Sequence, residues 1–231
     1  MKLSYCNKTL CRFLILCLLI VGSTLPVFAL SSESANHRHT LSMRQIADMC
    51  LPSVVMITVR GADGQITKTG SGFVIADHLI ATNVHVVDSA HEVTINFSDG
   101  RSVEALGIVN EDTSSDLAML YADTGIAKPL LIAADSPHIG DIVVALGSPE
   151  GLSGSMSTGI ISGLRMIPGI KVLQTTAPIS HGSSGGPLLN ETGEVLGVTS
   201  FMLNDGQNLN FAYPVYFLKL LILTKPKGFV A

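Results

Sequence analysis

Short segments of strand-forming residues, separated by turn signals, recur from about residue 53 to residue 214, and they constrain the fold more than any other feature. Runs such as SVVMITVR, HEVTINF and EVLGVTSFML alternate with breaks about every 8–12 residues. Hairpin signals lie between neighbouring runs at Asp63-Gly64, Asp99-Gly100 and Asp205-Gly206. About a dozen such segments predict an all-β barrel or sandwich, and the 22 glycines and the aromatic content of 5% fit many tight turns.

Two segments carry apolar residues at helical spacing instead. In LSMRQIADMC the apolar residues at helical spacing are Leu41, Met43, Ile46, Ala47 and Cys50. Pro52 follows two residues after the last of them. Because proline cannot continue a helix, the pattern predicts a short helix that ends before it. The segment VYFLKLLILTK near the C-terminus has the same spacing and predicts a second short helix.

The first 29 residues have the pattern of a secretory signal peptide. Lys2, Lys8 and Arg12 precede the apolar run FLILCLLIV, and Val27 and Ala29 form a small-residue cleavage pattern. The apolar run is shorter than the ~20 residues that a spanning helix needs. We therefore predict cleavage after Ala29 and a secreted or periplasmic protein; the alternative is that the segment is kept as an anchor.

Cleavage at this point would leave an acidic chain with one cysteine. Three of the 14 basic residues would be lost, which leaves 11 against 18 acidic residues and a formal net charge of −7. Such a balance argues against nucleic-acid binding, which usually needs a basic patch. Cys50 lies in an apolar segment and is predicted to be a buried structural thiol, with no internal disulfide. No Cys/His spacing indicates zinc, and we predict neither a metal nor a cofactor.

Three residues are candidates for catalysis: His85, Asp116 and Ser184. Taken alone, a histidine at the end of a strand, as in IATNVHVV, is more often structural, and an aspartate before an apolar run is more often a turn or cap residue. Ser184 lies in SHGSSGGPLLN, whose small residues fit either a solvated turn or a backbone cradle around a nucleophile. The catalytic interpretation is favoured by the order His…Asp…Ser, which is the chain order of one of the unrelated folds that carry a serine triad.

Four motifs in order make the sequence resemble the trypsin-like serine proteases, and most closely their HtrA/Deg branch. The motifs are GSGFVI at 70–75, TNVHVV at 82–87, SDLAML at 115–120 and GSSGGPLLN at 182–190, and FAYP at 211–214 extends them. The resemblance runs from about Leu41 to about Leu223. Each motif alone is weak, but four in this order and spacing are specific.

The resemblance implies an all-β fold of two six-stranded antiparallel β-barrels, with short N- and C-terminal helices and the active site between the barrels. It divides the chain into a signal peptide at 1–29, a polar lead-in at 30–40, a protease domain at 41–225 and a tail at 226–231. The first barrel, about 51–125, would carry His85 and Asp116. The second, about 130–216, would carry Ser184.

The resemblance also implies chemical roles. Ser184, directly before Gly-Gly, would be the nucleophile, and His85 would be its general base and later the general acid. Asp116 would fix the imidazole tautomer and stabilise the imidazolium. The N–H groups of Gly182 and Ser184 would form the oxyanion hole. Ser183 stands where the Deg branch usually has Asn and digestive relatives have Asp, which argues against activation by a new N-terminus.

Five residues are predicted by resemblance to bind substrate: Ile179, Thr199, Ser200, Phe201 and Met202. TAPIS at 176–180 would form one wall of the S1 pocket, with Ile179 pointing into it. TSFML at 199–203 would form the other wall and pair with the substrate as an added strand. Neither wall contains an acidic residue, and an unpaired buried Lys or Arg is costly. We therefore expect small aliphatic residues to be preferred before the scissile bond; the alternative is an unselective enzyme.

The predicted partners are polypeptide substrates, with no nucleic acid and no stable membrane association once the signal peptide is removed. Relatives usually carry C-terminal PDZ modules and a longer insertion where this sequence has GADGQITKT. Because the sequence reaches Ala231 shortly after its last helical segment, we expect a protease domain without PDZ modules. A homotrimer is compatible with the resemblance, but no motif indicates it. Two alternatives stay open: a protease-fold peptide-binding protein with little or no catalysis, and a serine hydrolase of non-peptide esters.

Overall fold

Antiparallel strands are the main regular elements of the computed structural model, which describes residues 40–148, 154–180, 182–202 and 209–224. The side chain of Met202 is not described within these ranges. The predicted signal peptide, lead-in residues 30–39, the tail at 226–231, His181 and the turn at Asp205-Gly206 lie outside the described residues. Of the helices that are described, none has the length and apolar character needed to cross a membrane.

Helix α1 (Met43–Cys50) lies where the spacing predicts it. Ser42 caps it in a reciprocal arrangement: the Ser42 hydroxyl accepts from the N–H of Gln45, and the Gln45 side chain accepts from the N–H of Ser42. Ile46 and Cys50 form its buried face. The helix passes into a 3-10 turn (Leu51–Ser53) that contains Pro52.

The first half of the chain forms a seven-stranded antiparallel sheet in the order β5-β4-β1-β2-β3-β7-β6. One short helical turn, α2 (Val84–Val87), follows β3. The strands are β1 (Val54–Arg60), β2 (Ile66–Ala76), β3 (Leu79–Thr82), β4 (Glu92–Phe97), β5 (Ser102–Glu104), β6 (Gly107–Asp112) and β7 (Leu117–Tyr121).

This half differs from the predicted closed six-stranded barrel. β5 and β6 follow each other in the chain, yet they lie at opposite edges of the sheet and are not paired. At their junction the N–H of Ala105 donates to the carbonyl of Val93 on β4, at 2.9 Å, and the N–H of Leu106 donates to that of Tyr121 on β7, at 2.8 Å. Two neighbouring residues therefore bond to strands near opposite edges of the sheet, β4 and β7. The sheet curls into a half-barrel, and no pairing between its edge strands β5 and β6 closes it.

The second half is a closed six-stranded barrel, as predicted, in the order β10-β13-β12-β11-β8-β9. Helix α3 (Val215–Leu223) follows its last strand. The strands are β8 (Ile142–Gly147), β9 (Ser155–Ile167), β10 (Ile170–Thr175), β11 (Pro187–Leu189), β12 (Val195–Met202) and β13 (Asn210–Pro214).

One hydrophobic cluster joins the sheet to the barrel. It contains Phe73 and Leu117 from the sheet, Leu146 and Leu189 from the barrel, and Leu218 from α3. Two further clusters lie within the sheet and within the barrel. The shared cluster brings the end of β3, the start of β7 and the loop before β11 together, and these are the segments that carry the candidate residues.

Candidate active site

His85 lies on α2, directly after β3. The sequence predicts it at the end of a strand, but the chain turns at Asn83, and the two valines after His85 are buried in the core of the sheet. Lys68 on β2 holds the end of the turn, because its Nζ donates to the carbonyls of His85 and Asp88 at 3.0 Å each. The turn is fixed in this way while the His85 side chain stays 49% exposed.

The carboxylate of Asp116 binds His85 twice. Oδ1 accepts from the backbone N–H of His85 at 2.9 Å, and Oδ2 lies 2.6 Å from Nδ1 of the ring. Because an ionised carboxylate can only accept hydrogen bonds, Nδ1 is the donor and carries the ring proton. Nε2 is then left with a free lone pair, which is the state that a general base requires.

The backbone of Asp116 is in the left-handed region, with a φ of 51°. This conformation costs an ordinary residue about 1–2 kcal/mol, although aspartate adopts it more readily than most. Its carbonyl accepts from Asn83 Nδ2 at 2.8 Å and from the N–H of Val84 at 3.1 Å. The residues that begin the His85 turn therefore also hold Asp116 in place.

A third donor to Asp116 comes from the barrel. Ser200 on β12, which is 4% exposed, donates from its hydroxyl to Oδ2 of Asp116 at 3.0 Å. A hydrogen bond to a charged group is stronger than one between neutral groups, so Ser200 helps to hold the carboxylate across the boundary between sheet and barrel. The sequence predicts a substrate contact for Ser200, but no motif predicts this role of its hydroxyl.

Ser184 lies on the loop before β11. Its hydroxyl donates to the carbonyl of Ser200 at 2.5 Å, and among the described residues it makes no hydrogen bond to His85. A Cβ on Gly70 would lie 2.6 Å from Val86, next to His85, and 3.3 Å from the carbonyl of Ser184, so both segments pack on the same glycine. The structure thus brings the three candidate residues together, with Ser200 bonded to both Asp116 and Ser184. The assignment of the triad stays a prediction.

Three consecutive carbonyls of this loop, those of residues 182–184, accept hydrogen bonds from within the protein. That of Gly182 accepts from the Ser71 hydroxyl at 2.6 Å, and that of Ser183 accepts from the Thr199 hydroxyl at 2.6 Å. The carbonyl of Ser184 accepts from the N–H of Ser71 at 2.8 Å. In a trans peptide the N–H points opposite to the carbonyl, so the N–H of Ser184 points away from Thr199. No acceptor for it lies among the described residues, as the predicted oxyanion role requires.

Thr199, the first of the predicted substrate residues on β12, makes its described hydrogen bonds to the loop before β11. It is fully buried, its N–H donates to the carbonyl of Gly186 at 2.9 Å, and its own carbonyl accepts from the N–H of Gly185 at 2.8 Å. Its hydroxyl donates to the carbonyls of Ser183 and Gly186. The described hydrogen bonds of Thr199 therefore lie within the loop, and its predicted substrate contact stays a prediction.

The other predicted substrate residues do not share one described pocket. Ile179 lines a pocket of about 200 Å³ with Ser180, Ser183 and residues of β8 and β9, and no residue of β12 is among its described lining. Phe201 stacks on Phe211 at a centroid distance of 5.0 Å. Met202 pairs with Asn210 across β12 and β13. Substrate binding by these residues stays a prediction.

Other reactive groups do not join the site. Cys50 is fully buried, its Sγ lies 3.7 Å from the carbonyl of Gly193, and burial raises its pKa to about 11. The pKa of Tyr213 is raised by burial and by the negative charge of Asp116. Within the described residues, no group of three or more His, Cys, Asp or Glu side chains is placed to hold a metal ion.

Three comparisons connect this geometry with known proteins. A family model described as a trypsin-like peptidase domain matches residues 70–198. Serine endoprotease DegS of Escherichia coli K12 is 35% identical over 204 residues, which cover 80% of this chain and 56% of DegS. A probable periplasmic serine endoprotease, DegP-like, of Halomonas elongata is 42% identical over 156 residues, 63% of this chain and 32% of that protein.

Serine protease HTRA2, mitochondrial, of Drosophila grimshawi is 36% identical over 219 residues, which cover 86% of this chain and 50% of that protein. The crystal structure of a serine endoprotease from Yersinia pestis superposes with a TM-score of 0.71 at 34% identity, covering 79% of this chain and 65% of that one. The chain spans about half the length, or less, of these curated relatives.

The matched residues 70–198 are more than half of the chain, and they contain His85, Asp116 and Ser184. The same region holds β2, which contacts the loop before β11, and α2, which presents the imidazole. The chain belongs to the trypsin-like peptidase domain family, and the relatives it resembles are proteins named as serine proteases of the DegS, DegP-like and HTRA2 types.

Proposed function

We propose that this chain is a serine endopeptidase that cleaves unfolded proteins or peptides through a His85-Asp116-Ser184 triad. The observation that carries the proposal is the pair of hydrogen bonds from His85 to Asp116, at 2.9 and 2.6 Å. This pair leaves Nε2 of His85 free to take a proton. The same site contains the hydroxyl of Ser184, on a loop whose carbonyls at Gly182 and Ser183 accept hydrogen bonds from Ser71 and Thr199.

The geometry supports a mechanism in which Ser184 first turns from the carbonyl of Ser200 towards His85. Its Oγ then bonds to the carbonyl carbon of the substrate while its proton moves to Nε2. The substrate oxygen becomes negative and accepts from the N–H groups of Ser184 and Gly182. The imidazolium protonates the leaving nitrogen, the C–N bond breaks, and water repeats these steps on the acyl-enzyme.

A second candidate function is peptide binding with little catalysis. The observation that favours it is the hydrogen bond of the Ser184 hydroxyl to the carbonyl of Ser200, which directs the proton away from His85. In substrate-free enzymes, however, catalytic hydrogen bonds often tighten only when substrate is bound. The two functions therefore differ in whether Ser184 reacts, and this can be measured.

Two neighbouring serines provide the matched test. Ser184→Ala removes the nucleophile, and we expect it to abolish labelling by a fluorophosphonate and to lower casein hydrolysis by on the order of 10⁶. Ser183→Ala should keep most of both, because its hydroxyl makes contacts of only 3.3 and 3.4 Å, with Ser180. The reverse result would contradict the assignment. Peptide binding by wild type without labelling would support the binding protein, and labelling with ester hydrolysis alone would support an esterase.

Substrate preference and location are parts of the same proposal. The described lining of the pocket beside Ile179 contains no charged residue, which supports small aliphatic side chains before the scissile bond. Cleavage sites in casein would contradict this if most followed Lys or Arg. The word periplasmic in the name of the DegP-like relative, with the predicted signal peptide, supports a periplasmic or secreted protein. N-terminal sequencing should find Leu30 first, and a retained Met1 would contradict cleavage.

A further inference from the structure

The hydroxyl of Ser71 reaches from the sheet into the loop of the candidate nucleophile. Ser71 lies on β2 and is fully buried. Its Oγ donates to the carbonyl of Gly182 at 2.6 Å and accepts from the N–H of Ser148 at 2.9 Å. The hydroxyl thus donates its proton to the loop, and neither of its described hydrogen bonds is to a residue of the proposed triad.

The carbonyl that Ser71 holds belongs to the middle one of three consecutive peptide units. The unit before it carries the N–H of Gly182, and the unit after it carries the N–H of Ser184; these are the two proposed oxyanion donors. The middle unit is held at its other end as well, because the N–H of Ser183 donates to the carbonyl of Ser180 at 2.9 Å. Its orientation therefore sets the starting direction of both flanking units.

This part of the loop needs an external restraint. Gly182 has a φ of 92°, in the left-handed region, where glycine has no Cβ to restrict rotation. The backbone of Gly182 alone therefore does not favour one orientation of the two peptide units next to it. A buried hydrogen bond from a fixed donor supplies that selection, because a buried carbonyl turned away from it would lose its partner.

Ser71 is itself a rigid anchor. Its N–H donates to the carbonyl of Ser184 at 2.8 Å, and its carbonyl accepts from the Thr82 hydroxyl at 2.7 Å. A Cβ on Gly147 would lie 3.1 Å from Ser71 Oγ and 3.3 Å from Ser183 Cα, so side chain and loop are packed together there. Outside the loop, the donor position is fixed by the pairing of Ser71 with Met56 on β1 and by the Thr82 hydroxyl on β3.

We infer that Ser71 is a positioning residue for oxyanion stabilisation: its hydroxyl sets the peptide between the two N–H donors. The inference rests on the proposed protease function. Loss of the hydroxyl would leave substrate binding nearly unchanged, because Ser71 is not among the described residues that line the pocket beside Ile179. It would weaken those interactions that form only when the carbonyl oxygen becomes negative.

The test compares Ser71→Ala with Ser53→Ala. Ser53 is 2% exposed, and its hydroxyl donates to a backbone carbonyl, that of Lys128, at 2.5 Å, away from the loop. Both variants thus lose one buried hydroxyl that donates to a backbone carbonyl, and Ser71→Ala also removes the acceptor of the N–H of Ser148. The readouts are kcat and KM on a peptide substrate, and the affinity for a peptide boronic acid relative to the same peptide as an amide. When the serine oxygen bonds to the boron, the boron becomes tetrahedral and negatively charged and places one of its oxygens in the oxyanion position, which the amide does not do.

We expect Ser71→Ala to lower kcat by at least about tenfold, towards the 10²–10³ that loss of one oxyanion donor costs. KM should change little, and the boronate-to-amide affinity ratio should fall by a similar factor. Ser53→Ala should lower the melting temperature and leave kcat and this ratio within about twofold. Ser71→Cys, with a weaker donor of similar size, should lie between wild type and Ser71→Ala.

An unchanged boronate-to-amide ratio in Ser71→Ala would overturn the inference, as would equal losses in Ser71→Ala and Ser53→Ala. If Ser71→Ala does not fold, Ser71→Cys decides by the same ratio. A wild-type protein that neither hydrolyses peptide nor binds the boronate would overturn the proposed function and this inference together. An active wild type with an unaffected Ser71 variant would overturn this inference alone.

Discussion

At the scale of single residues, Asp116 determines which ring nitrogen of His85, the candidate base, carries the proton. Asp116→Asn keeps the shape of the side chain but replaces one oxygen by NH₂. The backbone N–H of His85 can only donate, so it keeps the remaining oxygen, and the NH₂ faces Nδ1. The ring proton then moves to Nε2, which can no longer accept from Ser184. We expect kcat to fall by about 10⁴ with little change in KM; a loss below tenfold in steady-state kinetics would contradict the role.

Asp112→Asn is the matched control, four residues upstream. Burial acts to raise the pKa of Asp112, but hydrogen bonds from the Ser115 hydroxyl and from the amides of Ser114 and Ser115 outweigh it and leave the pKa lowered. A lowered pKa means stability that is present above the unfolded value of about 3.9 and is lost as pH falls through the folded value. We expect Asp112→Asn to keep kcat within twofold. We expect it to lower the free energy of unfolding at pH 7, but not at a pH below the folded pKa of Asp112, where the wild-type carboxyl is protonated.

Urea unfolding of wild type and Asp112→Asn at neutral and acid pH measures this difference. If the two proteins differ in free energy of unfolding by the same amount at both pH values, the effect comes from hydrogen-bond geometry and not from the charge of Asp112. Parallel losses of kcat in Asp112→Asn and Asp116→Asn would show that the turn between β6 and β7 is disturbed as a whole, and would remove the support for a separate role of Asp116.

The residues that the sequence identified and those it missed differ in a simple way. His85, Asp116 and Ser184 stand in local motifs, so residue type and spacing point to them. The contacts of Ser71, Thr199 and Ser200 depend on which carbonyl or carboxylate meets a buried hydroxyl after the chain has folded. Serine and threonine occur in strands for many reasons, and the pattern around these three is an ordinary strand pattern.

At the scale of elements, the loop before β11 fits against β2 and β3 through Gly185. Its φ is 88°, and a Cβ there would lie 2.1 Å from the carbonyl oxygen of Ser71 and 2.4 Å from Oγ1 of Thr82. Neither atom can move without breaking a strand contact. We expect Gly185→Ala to lower the free energy of unfolding by about 2–5 kcal/mol, from strain of about 1–2 and overpacking of about 1–3, and to remove most activity.

Gly64→Ala is the control for this prediction. Gly64 also has a left-handed backbone, with a φ of 75°, but nothing lies within 4 Å of a Cβ there. It should cost only the strain of about 1–2 kcal/mol and leave kcat unchanged. Chemical denaturation and steady-state kinetics measure both variants. Equal destabilisation by the two would mean that the loop can move away from β2, against the packing described.

Element types followed well from periodicity, and element ends did not. The run HLIATNVHVV predicts strand throughout, because its valines are apolar and would be buried whether the backbone is extended or helical. The turn at His85 is imposed by contacts from Lys68 and Asp116, which are far apart in sequence. Likewise RSVEALGIV predicts one strand, but Ala105 and Leu106 bond to opposite edges of the curled sheet and divide it.

At the scale of the whole molecule, the core shared by sheet and barrel predicts one cooperative unit. Residues from both halves and from α3 pack in a single cluster. The hydroxyl of Ser200 and the loop contacts of Ser71 cross the same boundary. If either half unfolded alone, the other would expose this cluster to water and leave buried polar groups unpaired, and both changes are unfavourable.

Leu218 on α3 tests this cooperativity at a distance from the site. It is fully buried in the shared cluster, and Leu218→Ala should lower the free energy of unfolding by about 2–5 kcal/mol through lost burial and the cavity left behind. Leu220→Ala, on the same helix at 44% exposure, should cost less than about 1 kcal/mol. In calorimetry we expect wild type and both variants to unfold in one transition whose calorimetric and van't Hoff enthalpies agree. Two resolved transitions, with only one shifted by Leu218→Ala, would mean that the sheet and the barrel hold their cores separately and that the candidate site is assembled by contact between two independent units.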